Sequence, residues 1–143
     1  MQLKSIFALG LVLSLSSVVC RADTVPGPID GAWVPASAEL AGQPDMDDVR
    51  SLKLVIKGNQ YTVTVGPVVD AGTLKLDPAA SPKSIDISGT DGPNKGKTFL
   101  AIYERAGDTL RICYDLSGKS RPVEFKTLPG TQLFLVTYKS EKP

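Results

Sequence analysis

The sequence contains no histidine. With it goes the usual acid/base group of neutral pH and the commonest metal ligand. A Ser-His-Asp or Cys-His site cannot be assembled. Zinc sites built of three histidines, or of histidine with carboxylate, are excluded too. A haem would have to take a tyrosine, Cys113 or Met46 as its axial ligand. Carboxylate-pair and lysine chemistry stay open, but no constellation for either stands out. The expectation is a protein that is not an enzyme, with no catalytic residue, no metal ligand and no cofactor.

Cysteine is nearly as scarce, with only Cys20 and Cys113. The first falls in a stretch laid out like a secretory signal. Met1-Gln2-Leu3-Lys4 is a short cationic start, and an apolar run from Ile6 to Leu15 is broken only by Gly10 and Ser14. Cys20 and Ala22 then supply small residues ahead of a cut after Ala22. The run is too short to cross ~30 Å of hydrocarbon, which needs about 20 apolar residues. A lipoprotein cut before Cys20 would want a small residue there, where Val18-Val19 stand. The expected organisation is a signal peptide over 1–22, a lead-in over 23–29, one domain over 30–140 and a tail over 141–143. The expected destination is outside the cytoplasm, periplasmic or secreted. Cys113 is then alone, so no internal disulfide forms. Its bland reading is a buried thiol on a strand; its alternative is a cross-linking or reactive thiol.

Charge of one sign is also missing. Against 15 acidic residues stand 16 basic ones, and removing 1–22 takes away Lys4 and Arg21 and no acid, leaving 14. The charges are scattered, without a run of five like signs. Such a surface has no field to steer nucleic acid or an anionic membrane. We therefore expect no nucleic-acid partner, no transmembrane segment in the mature form and a monomer, with any protein partner left unknown. The remaining 121 residues suit one domain, long enough to bury about two-thirds of its unfolded surface.

No segment after residue 22 sustains a helical period. What is present is a row of short alternating runs between turn residues, the pattern of an all-β domain. Gly31 to Leu40 comes first, with Pro35 marking an edge, a bend or a bulge. Leu52, Leu54 and Ile56 alternate with Lys53, Val55 and Lys57, Gly58-Asn59 makes a tight turn, and Tyr61, Val63 and Val65 return as a hairpin. Gly72 to Leu76, Ile85 to Ile87, Phe99 to Arg105, Thr109 to Tyr114, Pro122 to Lys126 and Gln132 to Lys139 follow. The one helical hint is Asp45 to Leu52, where Asp45 can cap and Met46 and Val49 share a face. The expected fold is an eight- or nine-stranded antiparallel meander closed into a small up-and-down barrel, since closure removes exposed edges. A closed meander needs an even strand count, so one of the nine runs should be irregular. A sandwich is the alternative.

Three local patterns bear on chemistry. Gly92-Pro93-Asn94-Lys95-Gly96-Lys97-Thr98 ends like a phosphate-binding loop, but it has three residues between its glycines instead of four and runs into a strand, not a helix. It reads as a polar, solvated loop. Asp45, Asp47 and Asp48 lack the glycine and terminal glutamate of a calcium hand and read as a capped first turn. The aromatics Trp33, Tyr61, Tyr103, Tyr114, Phe125, Phe134 and Tyr138 read mainly as core, with tyrosine hydroxyls reaching a rim or a bound ligand.

Taken together, several stretches resemble a known family. Gly31-Ala32-Trp33 resembles the G-x-W signature on the first strand of lipocalins. Around it stand Ala38-Glu39-Leu40-Ala41-Gly42, Lys57-Gly58-Asn59-Gln60-Tyr61-Thr62-Val63, Gly72-Thr73-Leu74-Lys75-Leu76-Asp77-Pro78, Asp91-Gly92-Pro93-Asn94-Lys95-Gly96-Lys97, Gly107-Asp108-Thr109-Leu110 and Arg121-Pro122. The whole is similar to a calycin-type family of small exported bacterial proteins with a lipocalin-like domain, mostly uncharacterised. The resemblance implies that Trp33 plugs one barrel end, with Gly31 beside it, and that a basic residue of the last strand, here Lys139, packs over the tryptophan. The typical Thr-Asp-Tyr turn is represented only by Tyr103, and the long helix after the last strand is missing.

The apolar phase of the strands places Leu54, Ile56, Tyr61, Val63, Leu74, Ile102, Leu110, Ile112 and Tyr114 inside, as the candidate lining of a ligand site. The function this implies is binding of a small hydrophobic or amphipathic molecule without chemical change. The alternative is a filled barrel that grips another protein through its loops, as inhibitor-like barrels do.

Overall fold

The computed structural model describes residues 27–141. The expected signal peptide, its cut after Ala22 and most of the lead-in lie outside these residues, as do the last two of the tail. The described chain forms β1 (Gly31–Leu40), β2 (Gln43–Pro44), a single helical turn α1 (Met46–Val49), β3 (Leu52–Lys57), β4 (Gln60–Val65), β5 (Val68–Asp77), β6 (Ser84–Asp91), β7 (Thr98–Ala106), β8 (Thr109–Asp115) and β9 (Leu133–Ser140). From β3 onward each strand pairs antiparallel with the next. β1 pairs with both β3 and β9, which closes an eight-stranded barrel, and β2 is a short extra strand on the end of β1.

The hairpins follow from the alternation. In β3 and β4, Ile56 opposes Tyr61 and Leu54 opposes Val63, with Gly58 turning at φ +61° between them. Leu54, Ile56 and Tyr61 are buried while Lys57 and Gln60 are exposed, so one face of the ribbon is core and the other is solvent. β5 and β6 run longer than the sequence pattern suggests. Their extra residues include Val68 and Val69, both exposed, and Gly89, none of which reads as strand by alternation. Gly72 opposes Tyr61 on one side and Gly89 on the other, at a bulge. A Cβ on Gly72 would lie 2.0 Å from Ser88 O and 2.8 Å from the Tyr61 ring. The missing side chain is what lets the two strands approach and the ring lie across the glycine.

Pro35 sits at a register shift in the β1–β9 ladder. The same strand pairs with β3 only over Gly31–Trp33, so it bends away from β3 where the proline falls. α1 covers only four residues of the helical hint over Asp45 to Leu52, with Val49 buried and Met46 packed on the core, but Asp45 makes no side-chain cap bond.

The run Pro122 to Lys126 is not a strand. β8 is already paired on both sides, by β7 and β9, so no edge remains for it. Residues 121–127 lie instead across the outer face of the barrel. The Arg121 guanidinium donates to the carbonyls of Ile85 and Ala101 and to the Asp86 carboxylate. Arg111 stacks over the Phe125 ring, and the Cys113 thiol donates to Lys126 O at 3.7 Å.

Candidate functional site

The two ends of the barrel differ. At one end Trp33 is 1 % exposed and its indole N–H donates to Ile29 O at 3.0 Å. Ile29, in the expected lead-in, is itself fully buried and belongs to the core. The Arg105 guanidinium lies 5.1 Å from the Trp33 ring centroid and donates to Pro28 O and Gly107 O. This corrects the expectation for Lys139, whose ammonium reaches Thr109 on the exposed side; the basic residue over the tryptophan comes from β7. Gly31, at φ +140°, takes a backbone conformation that suits glycine and lies next to the indole.

Above this floor the barrel encloses a cavity of about 290 Å³, lined almost wholly by apolar side chains. Seven of the nine residues expected to line it do so. Leu54 and Ile56 of β3, Tyr61 and Val63 of β4, Leu74 of β5, and Ile112 and Tyr114 of β8 all face this space. Leu110 is buried in the core but lies outside the lining; it opposes Arg105 and so sits in the floor layer. Ile102 is the error of phase. It opposes Ser84 and Cys113 and lies on the outer face beside Arg121, Pro122 and Val123. In β7 it is Phe99, Ala101 and Tyr103 that turn inward. The outer residue is as buried as an inner one because the 121–127 segment covers it, and an apolar run with both faces covered loses its alternation.

Ile85 and Ile87 complete the wall from β6, and Phe134 and Tyr138 from β9. Their alternation was legible in the sequence. Two polar groups were not. Asp70 of β5 lines the cavity at 7 % exposure, and Asn94 reaches it from the loop between β6 and β7. Asp70 Oδ1 accepts the Asn94 backbone N–H at 3.1 Å; Oδ2 accepts Asn94 Nδ2 at 3.0 Å and the Tyr61 hydroxyl at 3.2 Å. The glycine-rich loop is therefore only partly the solvated loop its composition suggests. Lys95 and Lys97 stay out in water, while Pro93 and Asn94 fold in at the mouth. Gly89 makes room for this, since a Cβ there would meet Asn94 O at 2.0 Å.

Deeper in, the Tyr114 and Tyr138 hydroxyls share a hydrogen bond of 2.9 Å. Burial, then the Asp70 charge, pushes the Tyr61 hydroxyl up to about 12. Burial pushes Tyr138 up to about 12 and Tyr114 well above its ordinary value. All three remain neutral hydroxyls at physiological pH, able to donate one hydrogen bond each. Beside the mouth a shallower groove carries Lys97, Thr98, Ser117 and Gly118, joined to the cavity through Asn94, Phe99 and Leu116.

Among the described residues no three of His, Cys, Asp and Glu gather as a metal site would need, and no helix is long and apolar enough to cross a membrane. Comparison with family models, with curated proteins and with solved structures gives no match.

Proposed function

We propose that this chain is an exported, lipocalin-like carrier that binds one small, largely apolar molecule inside its barrel and releases it unchanged. The observation that supports this reading is the cavity itself, which reaches Asn94, Phe99 and Leu116 and through them the outer groove. Its volume of about 290 Å³ stands at the lower end of ligand pockets, which run from roughly 300 to 1,000 Å³. A dry cavity of roughly 150 Å³ accommodates benzene. By proportion this barrel suits a molecule of about a dozen non-hydrogen atoms, a short acyl or alkyl chain or a fused aromatic. Walls of Leu, Ile, Val and Phe reward such a ligand by removing its surface from water. The filled barrel of the alternative reading would leave no such space.

Titration of the delipidated protein with an uncharged naphthalene dye tests the reading. Saturable binding is expected, and Val63→Arg, which sets a long charged side chain into the upper cavity, should weaken it about tenfold or more. A folded parent protein that shows no saturable binding would sink the proposal.

A further inference from the structure

Asp70 is the one charged residue among the described lining of the cavity. Its strand phase, shared with Leu74, turns it inward, and it is 7 % exposed. All three hydrogen bonds it accepts come from neutral donors: the Tyr61 hydroxyl, the Asn94 backbone N–H and the Asn94 side-chain amide. Among the described residues no lysine or arginine forms an ion pair with it. A carboxylate offers about four acceptor positions, so these donors leave about one open. A buried charge that is hydrogen-bonded but not neutralised is a costly arrangement, and a partner cation offsets that cost.

From this geometry we infer that the cavity is specific for an apolar amine: its ammonium group docks on Asp70 in the upper cavity, and its hydrocarbon part lies against Leu54, Ile56 and Leu74 below. The inference rests on the small-ligand reading above and adds the head group to it. The ammonium supplies both the missing donor and the missing positive charge, a charge-assisted pair that neutral isosteres cannot form. An ordinary fatty acid is disfavoured for the converse reason, since its carboxylate would face Asp70. Lys97 in the outer groove offers it a positive charge, but one exposed to water and salt.

Displacement of the uncharged dye by octylamine, octanol and octanoate at neutral pH tests this. The three share a chain and differ in the head group. Octylamine should bind about tenfold or more tighter than octanol, and octanoate more weakly than either. In Asp70→Asn the advantage of the amine over octanol should fall below about twofold. Equal binding of amine and alcohol would overturn the inference while leaving the carrier reading intact, as would octanoate binding tightest. Failure of the dye and all three ligands to bind the folded protein would overturn both. If Asp70→Asn does not fold, the comparison of the three ligands on the parent protein decides alone.

Discussion

Trp33 is the largest of the fully buried side chains. Truncating a buried aromatic typically costs about 3–5 kcal/mol, so Trp33→Ala should lower the urea midpoint strongly. The residue above it separates two accounts of the floor. Arg105→Ala removes the stacked cation and two carbonyl bonds and should cost about 1–2 kcal/mol. Lys139→Ala removes an exposed contact to Thr109 and should cost under about 0.5 kcal/mol. Equal effects would place the tryptophan's partner elsewhere. Asp115 matters at the other end. Burial raises its pKa, but the Ser117 hydroxyl and the N–H groups of Ser120, Ser117 and Lys119 outweigh that and hold the carboxyl below its ordinary 3.8. Its folded value lies below its unfolded one, so its stabilisation is complete above about pH 4 and is lost as pH falls through the folded value. Acid titration of stability should therefore be shallower below pH 4 in Asp115→Asn than in the parent.

At the scale of elements, the hairpins carry their own instructions while the long loop between β8 and β9 does not. Gly58-Asn59 and Gly107-Asp108 each sit where a two-residue turn must fall between alternating runs, so β3–β4 and β7–β8 are readable locally. The Pro122–Lys126 run has the composition of a strand, yet it binds through Arg121 to the carbonyls of Ile85 and Ala101. These lie on β6 and β7, and their availability depends on strands 20 and 36 residues earlier. The segment also explains Cys113, which is 0 % exposed on the outer face beneath it. Burial is the largest cause that raises the thiol pKa above its ordinary value. A thiol reagent should therefore modify the folded protein only as this segment opens. Arg121→Ala, which cuts the anchor, should speed modification several-fold at unchanged unfolding rate. Modification of the parent as fast as in denaturant would show that the segment does not cover the thiol.

For the whole molecule, closure is the decisive event. The β1–β9 ladder joins Leu40 to Phe134 and Trp33 to Ser140 across most of the described chain, and only then does an interior exist. A ligand that enters this interior binds the folded state alone, so it stabilises by mass action. At a free concentration about 100 times Kd the gain is about 2.7 kcal/mol, which for a domain of this size raises Tm on the order of 10 °C. Octylamine at that ratio should produce such a rise, and the rise should track its displacement of the dye across concentrations. A Tm independent of ligand concentration would mean that any binding seen occurs outside the barrel.

The sequence alone determined the class and most of the wall. Period-two alternation and two-residue turns are local properties, so Leu54, Ile56, Tyr61, Val63, Leu74, Ile112 and Tyr114 could be assigned inward without knowing their neighbours. The even strand count likewise followed from closure. Only the tertiary structure decided which run was surplus, which face of β7 looked inward and what the cavity presents to a ligand. Ile102 reads as core by hydrophobicity, and it is core, but on the side sealed by a loop; burial on both faces erases the period that would have told them apart. Asp70 lies before the alternating run Gly72 to Leu76 that the sequence shows, so its inward phase becomes visible only once β5 is seen to start at Val68. Its meeting with Asn94, 24 residues on, depends on the β5–β6 bulge and on glycines at 72, 89 and 92, where backbones approach closely enough for the loop to fold into the mouth.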